Sequence, residues 1–391
     1  MPSLSKLAGS IRQSEIRVMS VECEKVKGIN LAQGICDTEL PLPVRRGAEQ
    51  AIANGLNSYT RLDGIGELRN AIARKMRDYN RVECDPEREI VVTAGSTGAF
   101  YSACMALLNP GDEVVVFEPY YGYHVNTLLA MHAKPVYVTL RAPGWKFTKT
   151  DLERAITPQT RAIVVNTPAN PSGKVFSAEE LGWIAECAQK NDLFVFTDEI
   201  YEYFLYDERE HVSIASLPGM RERTVTISGF SKTFSITGWR LGYCVADGRW
   251  TGAIGYFHDL AYICAPSPFQ HAAAAGLIEL KADFYRELGE DYAHKRRLLC
   301  DALRKAGLEP SEPQGSYYVL ADASALSGRT SKEMAMFLLA ETGVAAVPGA
   351  AFYHGGGGEQ MLRFCFAKTD ADLEEGCRRL AKLRVTAAAA R

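Results

Sequence analysis

Lys232 lies in the segment S-G-F-S-K-T-F-S-I-T-G-W-R-L-G, residues 228–242, just after a β-rich run, with Arg240 eight positions further on. A lysine amine forms a Schiff base only after it loses its proton, and a partly desolvated site beside another cation promotes that loss. Arg240 can serve as that cation and can also bind a phosphate. Three more segments place polar groups at the ends of β-rich runs: A-G-S-T-G-A (94–99), N-T-P-A-N-P-S-G-K (166–174) and T-D-E-I-Y (197–201). In the first, small residues let backbone N–H groups approach a phosphate where a helix begins, and Ser96 and Thr97 add hydroxyl donors. In the second, Pro168 and Pro171 stiffen the loop around Asn170. The third offers Asp198 and, three residues on, Tyr201. Taken singly, each has a plainer reading: a surface lysine, an N-cap, a Pro/Gly turn, a helix start.

The elements that would position these groups are legible as an alternation. β-rich runs begin at Glu89 (EIVVT), Glu113 (EVVVFEP), Pro135 (PVYVTL), Arg161 (RAIVVN), Leu193 (LFVFTDE), Thr224 (TVTIS) and Leu241 (LGYCVA). Most are apolar on both faces, as strands covered by helices on both sides must be. Helical patterns lie between several of them, one over Thr97 to Leu108 and another opening at Ser177, where Ser177 and Glu180 suggest a capping box; Thr150 and Glu153 suggest a second. The alternation predicts an α/β fold with a mostly parallel central sheet flanked by helices. From about Leu277 the texture changes to one long helical stretch ending at Gly307. The short strands SYYVLAD, GVAAVPG and MLRFCFA follow, then a helix from about Asp370. That α+β pattern predicts a smaller domain. The expected division is a large domain over 46–276 and a small one made from both chain ends, 1–45 and 277–391. The C-terminal run T-A-A-A-A-R is expected to stay unpacked.

Composition narrows the function classes. The chain has 391 residues, 47% of them hydrophobic and 23% charged, with a formal net charge of −3. That length suits about two domains. A near-neutral balance argues against a nucleic-acid surface, which leans on clustered Lys and Arg. No apolar run reaches membrane-spanning length, and the first residues have no apolar signal core, so a cytoplasmic location is expected. The ten cysteines are scattered singly, with no C-x-x-C pair and no zinc spacing, and read as small buried hydrophobes; no metal is expected.

With these motifs in this order, the chain resembles the class I/II aminotransferases, fold-type-I pyridoxal-phosphate enzymes, from about Asn30 to about Arg363. The resemblance implies pyridoxal 5′-phosphate as cofactor, attached to Lys232. It implies that Asn170 and Tyr201 reach the cofactor's phenolic oxygen, that Asp198 keeps the pyridine nitrogen protonated, and that the ring of Tyr121, in P-Y-Y-G-Y, stacks on the cofactor. Ser96, Thr97 and Arg240 become phosphate ligands. Arg363, in M-L-R-F-C-F, becomes the ligand of the substrate α-carboxylate, with the backbone of Gly34 beside it; the plain alternative for Arg363 is a solvent-facing strand position. Tyr59, in N-S-Y-T, is implied to reach the phosphate of the other subunit of a homodimer; its plain alternative is a core ring whose hydroxyl meets solvent. Two departures stand out. Ile35-Cys36-Asp37 follows Gly34 where relatives often have Pro, and Gly229 stands three residues before the lysine, where many carry Ser or Thr. Ser228 and Ser231 are the hydroxyls nearest that gap.

The activity implied is transfer of an amino group from an L-amino acid to a 2-oxo acid in two half-reactions, with Lys232 as general base and acid. A β-lyase acting on sulfur-containing amino acids would use the same residues. A ligand-sensing domain of a transcription regulator would need a DNA-binding module, and no basic recognition helix is evident. The amino donor is not legible, because a dicarboxylate substrate needs a second cation that the motifs do not place.

Overall fold

The computed structural model of the chain describes residues 2–5, 7–9 and 14–383, and the C-terminal run expected to stay unpacked lies outside them. Near the N-terminus lies a two-residue strand, β1 (Ile29–Asn30). The runs read as buried strands follow: β2 (Ile90–Thr93), β3 (Glu113–Glu118), β4 (Lys134–Thr139), β5 (Thr160–Asn166), β6 (Phe194–Asp198), β7 (Thr224–Gly229) and β8 (Gly242–Val245). Among the described residues they form a seven-stranded sheet in the order β2-β8-β7-β6-β5-β3-β4. Neighbours are parallel except at β8, which runs antiparallel to both β2 and β7.

The period of two along each strand shows in the packing. Val115 and Phe117 of β3, with Ile163 and Val165 of β5, enter one core. Val114 and Val116, with Ala162 and Val164, enter the core on the opposite face. Helices cover both faces, which is why these strands carry β-branched residues throughout. The edge strand β4 is half-exposed, and Lys134 at its start is exposed. The helix Ala178–Lys190 opens with the expected capping box of Ser177 and Glu180. The second capping box is formed by Thr148 and Asp151, not by Thr150 and Glu153. Thr148 has extended backbone, whereas Thr150 already lies inside the helix Lys149–Arg154 and cannot cap it.

The C-terminal part carries β9 (Glu309–Ser311), β10 (Tyr318–Asp322), β11 (Val344–Ala345), β12 (Val347–Pro348) and β13 (Met361–Cys365). Four of these make a smaller antiparallel sheet in the order β12-β13-β10-β9. The run GVAAVPG is thus two short strands serving two sheets, since β11 pairs in parallel with β1. That pairing, with the helix Glu15–Lys25 packed on β11 and β12, fastens the N-terminal segment to the C-terminal part. The core of the smaller sheet is continuous with one face of the large sheet: Leu320, Phe364 and Phe366 belong to the same cluster as Val115 and Val195. The helix Leu42–Ala53 lies along the helix Ser267–Glu279. No helix among the described residues is long and apolar enough to cross a membrane.

Candidate active site

Parallel strands bring their C-terminal ends to one edge, and ligand sites of α/β sheets form there. β5 ends at Asn166 and β6 at Asp198, and these two residues are direct partners in the ladder. β7 ends at Gly229, three residues before Lys232. Because β8 is reversed, its start lies at the same edge: Gly242 pairs with both Thr93 and Gly229. Four motifs spread over nearly 150 residues thereby meet around one cavity of about 200 Å³. It is lined by Gly34, Ser96, Thr97, Tyr121, Asn170, Asp198, Tyr201, Ser231, Lys232 and Arg240.

The amine of Lys232 donates to the carbonyl of Gly34 at 3.2 Å. Desolvation pushes its proton affinity below that of an ordinary lysine, and nearby Arg240 pushes the same way, against the pull of Asp198. The Asp198 carboxylate is buried and held at both oxygens. Oδ2 lies 3.0 Å from His124 Nε2, and Oδ1 accepts from the Ile200 N–H at 3.2 Å. Asn166 fixes the neighbourhood twice, donating to the Asp198 carbonyl at 3.0 Å and accepting from the Asn170 N–H at 2.8 Å. The hydroxyls of Tyr201 and Tyr318 are 3.3 Å apart, and burial pushes the Tyr201 hydroxyl well above the ordinary phenol range. Tyr201 therefore stays a neutral hydrogen-bond donor. The ring of Tyr121 lies edge-on to His124, with centroids 5.3 Å apart.

Where Ser96, Thr97 and Arg240 gather, the backbone is packed too closely for side chains. Gly95 has φ +75°, and a Cβ there would collide with the Arg240 guanidinium; one on Gly242 would collide with the Ser96 N–H. The helix Gly95–Leu107 begins at this turn, so the hydroxyls of Ser96 and Thr97 sit in its first turn and not before it. Gly229 has the same explanation. A Cβ on it would meet Gly242 Cα at 2.9 Å and the Leu241 carbonyl at 3.0 Å, so this chain has no room for a hydroxyl-bearing residue there. Ser231 lines the cavity, whereas Ser228 turns inward and donates to Glu202 at 2.8 Å.

Arg363 is completely buried on β13, and the solvent-facing alternative is excluded. One guanidinium nitrogen donates to Asn170 Oδ1 at 2.9 Å and another to the Ala32 carbonyl at 2.5 Å, while the plane lies 4.3 Å from the ring centre of Tyr318. Its Nε is buried without a partner. A buried donor left open beside the cavity suits an incoming carboxylate. With Oδ1 of Asn170 engaged, its NH2 group remains the free end. Tyr59 is not in this cavity. It is 79% exposed, in a surface hollow with Leu56, Arg61 and His271, and it is not a core ring.

Several groups escaped sequence reasoning. His124, Asn166, Tyr318 and Arg17 all line the cavity. His124 follows P-Y-Y-G-Y directly and Asn166 opens its motif, so position alone could have raised both. Under the site lies a cluster in which ligand atoms of Glu199, Glu202 and His211 come within 4.8 Å of one another. Lys75, Asn80, Ser213 and Ser228 already occupy the carboxylate oxygens.

The arrangement suits a flat, phosphorylated aldehyde cofactor: an attachable amine, a carboxylate for a ring nitrogen, neutral donors for a ring oxygen and a crowded cradle for a phosphate. The comparisons agree with it. The family described as aminotransferase class I and II matches residues 26–380. An aspartate aminotransferase of Pyrococcus abyssi is 36% identical, over 95% of this chain and 96% of that protein. A kynurenine–oxoglutarate transaminase of Dictyostelium discoideum is 34% identical, over 92% of each. The structure of N-succinyldiaminopimelate aminotransferase from Mycobacterium tuberculosis superposes with a TM-score of 0.94 at 34% identity, covering 98% of this chain and 100% of that one. The chain belongs to the class I and II aminotransferases, pyridoxal-phosphate-dependent enzymes that move an amino group from an L-amino acid to a 2-oxo acid.

Proposed function

We propose that this cavity is where amino acid and oxo acid bind in turn, and that Lys232 moves the substrate Cα proton in each half-reaction. The observation that carries the reading is the Lys232 amine, desolvated and facing the cavity with Asp198 held rigidly by His124. Ser96, Thr97 and Arg240 would hold the cofactor phosphate, Tyr121 would cover the ring, and Asn170 and Tyr201 would donate to its phenolic oxygen. Asp198 would keep the pyridine nitrogen protonated. Bound there, pyridoxal phosphate supplies an electron sink for the pair left behind when the substrate Cα loses its proton. Arg363 and the backbone of Gly34 would fix the α-carboxylate, presenting the Cα–H bond to Lys232. Once free, the Lys232 amine takes that proton and returns it, acting as base and then as acid.

The same reading includes a homodimer in the cytoplasm. Ile52, Leu56, Tyr59 and Leu62 are exposed, as are Tyr256, Leu260, Tyr262 and Ile263. The two stretches are neighbours, since Ser267 donates to the Leu56 carbonyl at 3.0 Å, and Leu62 packs at Gly255. An apolar face of this kind supports a subunit interface that carries Tyr59 to the partner's phosphate. Ten free thiols support a reducing compartment. The proposed two-domain division moves its cuts from 45/46 and 276/277, which fall inside the helices Leu42–Ala53 and Ser267–Glu279, to the loops before Leu42 and after Glu279. The test is borohydride reduction of the yellow holoenzyme, which should fix the cofactor to the peptide containing Lys232. Fixation at another lysine would overturn the assignment.

A further inference from the structure

The cavity carries one more charge than the chemistry above uses. Its charged lining groups are Lys232, Arg240, Asp198 and Arg17; Arg363 is outside the lining and donates to the lining residue Asn170. In the proposed function Lys232 attaches the cofactor, Arg240 takes the phosphate, Asp198 serves the ring nitrogen and Arg363 takes the α-carboxylate. Arg17 is left over. It stands in the first turn of the helix Glu15–Lys25, where its backbone N–H donates to the Ser14 carbonyl at 3.0 Å, and its exposed guanidinium has no hydrogen bond or ion pair with any described residue. Its neighbour Glu15 is engaged elsewhere, by Lys332 at 2.7 Å. Asp198, the carboxylate in the lining, is held by His124.

Two other groups of the same lining are donors with open ends. Gln33 lines the same cavity, and its Oε1 accepts from the Ser20 hydroxyl at 3.3 Å, which leaves the NH2 end available. Ser14 is the N-cap residue of the helix, yet its side chain caps no backbone N–H, and it also lines the cavity. The Arg17 guanidinium shares one cavity with that amide and hydroxyl, a set of donors that suits an anion, and the planar fork of arginine fits a carboxylate best.

Resting on the reading above, we infer that Arg17, assisted by Gln33, binds the distal carboxylate of a dicarboxylic substrate, so that the enzyme selects amino acids and 2-oxo acids bearing a second carboxylate. Arg363 and Arg17 would then hold the two ends of one substrate, and an uncharged side chain would leave Arg17 unsatisfied.

The test compares holoenzyme half-reactions with glutamate and with glutamine, its uncharged amide, in the wild type, Arg17→Gln and Arg17→Lys. The expected kcat/KM ratio of glutamate to glutamine exceeds about tenfold in the wild type. It should fall by roughly ten- to a hundredfold in Arg17→Gln and recover partly in Arg17→Lys, the range expected for a charge-assisted contact. Succinate, which binds without reacting, provides the second readout. Its Kd from spectral titration should rise by at least about tenfold in Arg17→Gln, while that of propionate, with one carboxylate, stays within about twofold. An unchanged ratio, or equal weakening of succinate and propionate, overturns the role of Arg17. A wild type that transaminates neutral amino acids without favouring glutamate overturns it too, while leaving the aminotransferase reading intact. A holoenzyme that processes no amino acid defeats that reading and this inference with it, and the succinate titration still reports separately on whether Arg17 holds a carboxylate.

Discussion

His258 ties the pH dependence of stability to the phosphate cradle. It lies on the helix Gly248–Tyr262, fully buried, and its Nε2 accepts the backbone N–H of Ala94 at 2.9 Å, at the turn that leads into Ser96 and Thr97. Only a neutral imidazole nitrogen can accept that bond. Burial pushes the group down from 6.5 to about 4, with Asp259 pulling weakly the other way. The folded-state value is the lower one, so the contribution is fully present above about 6.5 and is lost as pH falls towards about 4. At about 1.4 kcal/mol per pH unit the total is about 3 kcal/mol, most of it gone by pH 4.5. His258→Gln keeps an acceptor for Ala94 but does not titrate. Denaturant unfolding at fixed protein concentration, at pH 7.5 and 4.5, should therefore show the wild type losing about 2.5 kcal/mol more than the variant. The imidazole resonance of His258 should stay neutral down to about pH 5. Equal acid losses in both proteins, or titration of His258 near its ordinary value, would refute the reasoning.

Two further outcomes follow from the site. Arg363→Ala should lower kcat/KM for amino acids by at least about tenfold, from the roughly 1.5–3 kcal/mol of a charge-assisted contact, and leave amines without a carboxylate nearly indifferent; equal losses for both would place Arg363 outside carboxylate binding. On the proposed homodimer, Tyr59→Phe should weaken cofactor affinity about two- to tenfold without changing the oligomeric state. Provided Tyr59→Ala is itself strongly impaired, mixing it with Lys232→Ala should restore activity, since each hybrid dimer holds one complete site. No recovery after confirmed subunit exchange would assign Tyr59 to its own chain or to no site.

What could be read in the sequence follows from how local each cause is. The strands of the large sheet were legible because burial on both faces imposes unbroken Val, Ile and Phe runs, and the reversed β8 looks no different because its burial is the same. Ser177 and Glu180 were legible as a cap because their contact is four residues long. The box at Thr148 was displaced because Thr and an acid three apart occur twice within six residues there, and only backbone conformation at Thr148 decides between them. GVAAVPG reads as one strand because a run of seven residues says nothing of its partners, which are β1 for one half and β13 for the other. The burial of Arg363 was invisible in M-L-R-F-C-F, since an arginine between apolar residues is tenable inside only with Asn170, Ala32 and Tyr318 around it. His124 meets a carboxylate 74 positions away, a distance no local pattern spans. Arg17 went unread because its place in the cavity lining depends on how its helix packs on β11 and β12, which no local pattern shows.

The turn from Thr197 to Glu202 shows why such long-range groups gather here. Asp198 and Tyr201 face the cavity, while Glu199 and Glu202 are buried in the opposite direction. Two buried carboxylates would ordinarily be costly. Glu199 accepts from Ser213 at 2.8 Å and Thr197 at 3.1 Å and meets His211 at 2.8 Å. Glu202 meets Lys75 at 2.5 Å and accepts from Ser228 at 2.8 Å. Burial alone would raise Glu202, yet Lys75 and His211 hold it below the ordinary carboxylate range, so it stays charged. Apolar side chains could fill the same volume with less desolvation, but without direction. Hydrogen bonds from β7 and from the helical segment ending at Asn80 fix the rotation of this turn about the strand end. That rotation decides where Asp198 and Tyr201 point, and a catalytic carboxylate needs its direction held to within a few tenths of an ångström. The buried charges thus act on the site by aiming residues that they do not themselves accompany into the cavity.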